Sequence, residues 1–473
     1  MRMMIFFAEN MDSVSGGGQA CLSQDCRSLE FEIPRSVIKR SFQSGWSKEV
    51  STIKIKVKKR KLAIGKEQLE NVLFFLYLCY PISNLFFLKI FSMLGAASVA
   101  VPVGLFVTYL PLFILVMHRD KNIFIPDFAI LLLIICLFFA ITYLLHPEYE
   151  YWYTRSDFGV ISYVLRPDNG LFIYMLIRIL NDPNRILRWI KISGWPIYLF
   201  YGWQTMRAIS RGYWIDISNR GYEIHLSYSL SLGYNLLIFA LAFLYCALEE
   251  KKIADWIGAI VGIVIIMIAG SRGPFLDIAI FLVLYAGIKI ASSRKKVLLI
   301  LGISVASGVL WSVFPYAISL VARVFDALHI SSRFITKLLS GSITEGSGRN
   351  VIWEAAARMI KENPFGYGAM GSRHVMSQYV YVAHPHQFFL EILIDFGVVA
   401  GTLIIVFLAV STVRILNMKG IGQWKGVFCV FLARACQLLI SLTFWHSIGM
   451  WGVIAVGVCI FRISRKGKLR YAK

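Results

Sequence analysis

Charge is scarce in this chain of 473 residues. Asp, Glu, Lys and Arg make up 16% of it and hydrophobic residues 57%, against roughly 25% charged in an ordinary soluble domain. A soluble fold has no use for so much apolar side chain, because its outside must be wetted; a lipid-embedded fold does. Acid is scarcer still, with 27 Asp and Glu against 49 Lys and Arg. On a soluble protein that excess would suggest nucleic acid. Here the charges sit in short clusters between apolar runs, which reads as membrane topology and lipid-surface binding and leaves nucleic acid no role. A cysteine framework is also missing. Six of the eight cysteines lie inside apolar runs, and Cys21 and Cys26 form a lone C-x4-C with no second pair and no nearby histidine cluster. Neither a metal site nor a disulfide network is expected from them. No cleavable signal peptide is visible, since the apolar stretch of Met1–Ala8 is too short. The first spanning helix is expected to serve as the targeting signal.

What the chain does have is apolar runs of about 20 residues, each enough to cross roughly 30 Å of hydrocarbon as a helix. They lie at 70–90, 94–117, 123–145, 159–180, 187–206, 228–248, 254–270, 273–291, 297–316, 387–412, 425–444 and 446–463. The expected fold is therefore an all-α polytopic membrane protein of about twelve spans, with Arg166-Pro167-Asp168 interrupting the fourth. Residues 1–67 read as a flexible cytoplasmic extension, 68–463 as the membrane domain and 464–473 as a basic cytoplasmic tail. Alternating twelve spans puts the clusters Lys54–Lys61, Arg185/Arg188/Lys191, Lys251/Lys252, Arg294/Lys295/Lys296 and Arg462–Lys473 on one side, which is then cytoplasmic at both termini. The opposite side carries one long segment, 316–386. Within it a helix is expected over 349–362, with Ile352, Ala355, Ala356, Met359 and Ile360 on one face, stopped by Asn363-Pro364.

The outer segments are rich in arginine, among them Arg207, Arg211, Arg272, Arg323, Arg333, Arg349 and Arg373. A guanidinium is a planar fork that matches a phosphate or carboxylate two bonds at a time, so an anionic ligand is expected there; the plain alternative is anchoring at lipid headgroups. Three contexts favour a ligand. In Ala269-Gly270-Ser271-Arg272-Gly273-Pro274, Ser271 can cap the eighth span and Pro274 suits its first turn, placing Arg272 beside free backbone N–H groups. In Glu345-Gly346-Ser347-Gly348-Arg349-Asn350, glycines precede a helix start that bears Arg349, with Trp353 one turn on. In His384-Pro385-His386-Gln387, two imidazoles flank a proline just ahead of span ten, followed by Glu391 and Asp395. Histidine is the usual general base near neutral pH.

Taken together, Ser347-Gly348-Arg349, Ile352-Trp353, Pro364-Phe365-Gly366-Tyr367-Gly368, His386-Gln387-Phe388-Phe389-Leu390-Glu391 and Phe396-Gly397-Val398-Val399-Ala400-Gly401, with Arg272 earlier, resemble the O-antigen ligase/O-antigen polymerase family of bacterial envelope enzymes. The resemblance covers about residues 255–412. It departs at Gln387, where the family pattern has Asn, and His384 adds a second candidate base. The resemblance implies a glycosyltransferase of the bacterial cytoplasmic membrane whose donor is a glycan on undecaprenyl pyrophosphate. Arg272 and Arg349 would neutralise the pyrophosphate and His386 would take the acceptor's proton. Arg211, Arg323, Arg333, Trp353, His384, Gln387 and Glu391 would be substrate contacts. No metal or other cofactor is implied, and no D-x-D occurs on the outer side. A polymerase, with a flippase and a chain-length regulator as partners, is the favoured form. A ligase acting on lipid A core is the alternative. From other classes come a lipid-linked oligosaccharide flippase and a metal-dependent transferase using Glu148 and Glu150.

Overall fold

The computed structural model describes residues 66–95, scattered positions from 103 to 114, and 126–155, 159–217, 223–293, 295–328, 332–341, 348–380 and 382–471. All of these lie in the compact unit Gly65–Lys473. The expected N-terminal extension, most of the expected span 94–117 and Glu345 to Ser347 fall outside the described residues.

The described chain is almost wholly helical: α1 (Lys66–Leu78), α2 (Tyr80–Met93), α3 (Pro126–Leu145), α4 (Gly170–Leu180), α5 (Pro183–Arg211), α6 (Leu230–Glu250), α7 (Ile253–Ala269), α8 (Gly273–Ser292), α9 (Lys296–Ala327), α10 (Arg333–Leu339), α11 (Arg349–Glu362), α12 (Gly371–Tyr379), α13 (Phe388–Asn417), α14 (Trp424–Ala435) and α15 (Ile448–Tyr471). One two-stranded antiparallel hairpin departs from the all-α expectation. It pairs β1 (Trp214–Ile217) with β2 (Glu223–Leu226), Trp214 opposite Leu226.

Among the described residues, five helices are long and apolar enough to cross a membrane: α3, α6, α8, the Val398–Asn417 part of α13 and the Ile448–Arg465 part of α15. Two bent pairs raise the number to seven, α1 with α2 at 71° and the two halves of α9 at 42°. Three further expected spans are interrupted in the structure. The fourth opens as a π-helical turn, Ile161–Leu165, and breaks at Arg166–Asn169 before α4. There Arg166 grips Asp168 through two hydrogen bonds of 2.6 and 2.9 Å, so the polar triplet folds on itself. The eleventh ends as a helix at Ala435 and continues as a short 3-10 turn, Cys436–Leu439. The tenth is cut at Gly397, whose φ of 78° and ψ of 169° no helix contains.

The core is built around α6, which is buried along nearly its whole length. Ser229 caps it, its Oγ accepting from the Leu232 N–H. α7 lies against it closely because Gly258 and Gly262, four residues apart, have no side chain: a Cβ there would come within 2.5 Å of Phe243 and of the Tyr198 hydroxyl. Small residues at that spacing let membrane helices approach. One end of the bundle is held by ion pairs across helices, Arg178–Asp127 at 2.8 Å, Arg185–Glu70 at 2.9 Å and Lys191–Asp255 at 2.9 Å. Arg185 and Lys191 belong to one of the basic clusters expected on a single side. α7 starts at that end, so its far end, the turn at Gly270–Arg272, lies at the opposite end of the bundle.

Candidate functional site

The turn between α7 and α8 is pinned from two directions. The Ala269 carbonyl accepts from the Ser229 N–H at 2.9 Å, and Ser332 Oγ donates to the Met267 carbonyl at 2.7 Å. The second bond brings the start of α10 against the turn, and a Cβ on Gly270 would lie 3.3 Å from the Arg333 nitrogen. Arg333 then lays its guanidinium 4.4 Å over the Tyr228 ring. Arg272 is the N-cap residue of α8, with Pro274 in the first turn as expected. The expected cap by Ser271 is not made: its Oγ is buried with no hydrogen-bond partner among the described residues, and the helix has no side-chain cap. Arg272 itself occupies the position where a cap would sit, so the serine falls one residue too early to reach the N–H groups.

Arg349 opens α11 directly after Gly348, which holds a φ of 73°. It is half-buried. Burial pulls its pKa below the ordinary guanidinium value; the Tyr234 and Tyr228 hydroxyls oppose that, and the neighbouring Arg272 adds to it. Trp353 stands one turn on, its Nε1 enclosed and without a partner among the described residues. Residues four apart share a helix face, so Arg349 and Trp353 form one edge of the site.

His386 is the next neighbour. Burial and then the charge of Arg349 push its pKa down to about 4. His384 packs against it with ring centroids 4.1 Å apart. It is half-buried, with Nε2 fully enclosed, and is held well below the ordinary value by burial, His386 and Arg373. Both imidazoles are therefore neutral at pH 7 and can accept a proton. His386 also has a φ of 53°, a left-handed conformation that costs a non-glycine residue on the order of 1–3 kcal/mol and clusters at functional sites.

The structure thus joins Arg272, Arg349 and His386 into a chain of neighbours, with Arg333, Trp353 and His384 around it. It does not bring all the expected substrate contacts there. Gln387 spends its carbonyl oxygen capping α13, accepting from the Leu390 N–H at 2.6 Å. Glu391 is buried and turned inward, its two oxygens taken by Thr443 Oγ1 and the Phe444 N–H. Arg211, in the last turn of α5, and Arg323, on α9, are exposed, and no described contact ties either to the trio. Of the pair Glu148 and Glu150, the first is engaged with His146 at 2.9 Å.

Several groups at or near the site were invisible as a pattern. Tyr228 and Tyr234 sit in an ordinary apolar run, yet they carry Arg333 and Arg434 on their rings, the latter at 5.4 Å. Arg373 counts in the sequence as one more outward arginine, but it is 2% exposed and stacked 4.8 Å over Tyr163, whose other contact is the His446 ring at 4.6 Å. Arg434 and Gln437, three residues apart, hydrogen-bond to each other.

The P-F-G-Y-G stretch explains itself structurally. Because Gly397 breaks α13, the carbonyls of Ile394 and Asp395 are left open, and they accept from Tyr367 N–H at 2.8 Å and Gly368 N–H at 3.0 Å. The Val398 N–H closes back on the Pro364 carbonyl at 2.8 Å. Gly366 and Gly397 face each other backbone to backbone, so that a Cβ on either would lie 2.4 Å from the other strand. This latch fixes α11, with Arg349, against the outer half of α13, with His386.

Comparison with known proteins agrees. Residues 257–405 match the family model described as O-antigen ligase. Arg272, Arg349 and His386 all lie inside the matched segment, and a family of that description implies glycosyltransferase-type chemistry on a lipid-linked glycan in a membrane setting. No curated protein and no solved structure matches the chain.

Proposed function

We propose that this protein extends a glycan carried on undecaprenyl pyrophosphate, using a second lipid-linked glycan as acceptor, at the outer face of the bacterial cytoplasmic membrane with both termini inside. The observation that carries this reading is the grouping of Arg272, Arg349 and His386, in which the charge of Arg272 acts on Arg349 and that of Arg349 acts on a neutral His386 imidazole. Paired forks suit a pyrophosphate. The acceptor hydroxyl gives its proton to His386, its oxygen bonds to the anomeric carbon, and the bond from that carbon to the phosphate oxygen breaks. Its electron pair leaves with undecaprenyl pyrophosphate, whose charge Arg272 and Arg349 stabilise. One displacement inverts the anomeric centre.

Burial is the larger cause of the low His386 pKa and the Arg349 charge the smaller, so a pyrophosphate on Arg349 would relieve only the second and make the imidazole a somewhat stronger base once the donor is in place. Loss of one such charge-stabilising group costs about 10²–10³ in rate. Arg349→Ala and His386→Ala are each expected to abolish long glycan on gels of whole-cell polysaccharide while the protein accumulates in the membrane. Normal glycan length in both variants would overturn the assignment. The family description favours one second reading, ligation of the glycan to a lipid A core acceptor by the same three residues.

A further inference from the structure

Phe365 is 91% exposed, in a loop whose place along the bundle is fixed by its neighbours. Phe396, two residues ahead of the spanning Val398–Asn417, stacks on Phe138 of α3 at 4.8 Å and 9°. Gly368 rests on Thr142 of the same helix, and the Ala369 N–H donates to Thr142 Oγ1 at 3.0 Å. α3 is a 20-residue apolar span ending at Leu145, about 30 Å long at the helical rise. Phe138 therefore lies about 10 Å short of its outer end. The loop 363–369 thus lies alongside the last turns of a span, level with hydrocarbon and not with water. Around it Leu144 (79%), Leu145 (70%) and Val399 (76%) are open to the outside.

The backbone N–H groups of the loop meet what that depth requires. Irregular backbone is tolerated at membrane depth only when its polar groups are satisfied within the protein. Here the available N–H groups from Asn363 to Met370 are all used: Asn363 to Met359 O, Phe365 to Asn363 Oδ1, Gly366 to Asn363 O, Tyr367 to Ile394 O, Gly368 to Asp395 O, Ala369 to Thr142 Oγ1 and Met370 to Asp395 Oδ2. Proline has none to offer. The Gly366 and Ala369 carbonyls take Asn363 Nδ2 and the Tyr153 hydroxyl. A loop in water would not need this.

The geometry points to a re-entrant loop: residues 363–369 dip into the outer leaflet, and Phe365 is immersed among the acyl chains of the bilayer. The anchor holds α11 and the outer half of α13 at headgroup depth. It stands apart from the transferase reading, because it depends only on the spans and the latch. The test is hydroxyl-radical footprinting of the wild-type chain in phosphatidylethanolamine/phosphatidylglycerol nanodiscs. Phe365 is expected to be oxidised as little as Phe407, which is 69% exposed in the Val398–Asn417 span, and several-fold less than Tyr379 on α12. In parallel, benzoylphenylalanine at position 365 is expected to give phospholipid adducts on illumination, as at Val399, with none at the exposed Glu354. Oxidation of Phe365 at the level of Tyr379, or adducts at Val399 but none at 365, would place the loop in water and overturn the inference.

Discussion

Gly397→Ala tests the latch on which the site's geometry depends. At a φ of 78° and ψ of 169° the backbone occupies a region essentially reserved for glycine, where another residue costs on the order of 1–3 kcal/mol. The added Cβ would also lie 2.4 Å from the Phe365 carbonyl oxygen and 2.8 Å from that of Pro364, so the loop must retreat as well. The N–H groups of Tyr367, Gly368 and Val398, whose partners flank the break, should then open more often. If opening is easier by 1–3 kcal/mol, their exchange with solvent deuterium accelerates ~5- to 150-fold. Mass-spectrometric hydrogen exchange in detergent reads this directly. Gly302→Ala is the control: its Cβ meets nothing within 4 Å, in the middle of a helix, and it should leave these amides unchanged. Exchange at 367, 368 and 398 as slow in Gly397→Ala as in the wild type would refute the argument.

Three further outcomes follow from the same geometry. Histidine-selective NMR should find His386 neutral down to about pH 4, and Arg349→Gln should raise its pKa, because the second-largest influence on it is the Arg349 charge. The sign for folding is that a depressed imidazole is protonated in the unfolded chain first, so stability is lost as pH falls from about 6.5 toward 4; His386→Gln should flatten part of that slope in thermal melts. Arg272→Lys should lose most of its transfer rate, since a point charge does not replace the two-pronged fork; full activity would make Arg272 a mere surface anchor. Asp395→Ala strands the Met370 and Trp445 donors that now sit at 3.3 and 3.1 Å, at about 1–3 kcal/mol each, and should lower the melting midpoint; an unchanged midpoint would refute the cost assigned to those bonds.

Much of this was legible in the chain. The bounds of α11 follow from Gly348 at one end and Asn363-Pro364 at the other, signals that act within a turn. The pairing of Arg272 with Arg349 was expected from the family resemblance, in which both arginines face one pyrophosphate. The break in the fourth span was legible as Arg166-Pro167-Asp168, whereas the breaks in the tenth and eleventh were not. The run 387–412 is continuously apolar enough to pass as one span, and hydropathy does not report that Gly397 takes a φ only glycine tolerates. Glu391 looked like a ligand residue because charge in an apolar run suggests function; in the fold it holds the segment at 443–444. Arg373 was counted as outward from its position in a loop, since burial of a cation depends on tertiary partners such as Tyr163. The P-F-G-Y-G glycines were read as loop punctuation, whereas their role comes from carbonyls nearly thirty residues away.

The most direct test is transfer by the purified protein in nanodiscs, with a lipid-linked oligosaccharide as sole substrate, EDTA present and no ion gradient. A ladder of longer lipid-linked glycans that disappears with Arg349→Ala is the predicted result. No extension of any acceptor, lipid A core included, would contradict the transferase account, and extension only on lipid A core would replace polymerisation with ligation.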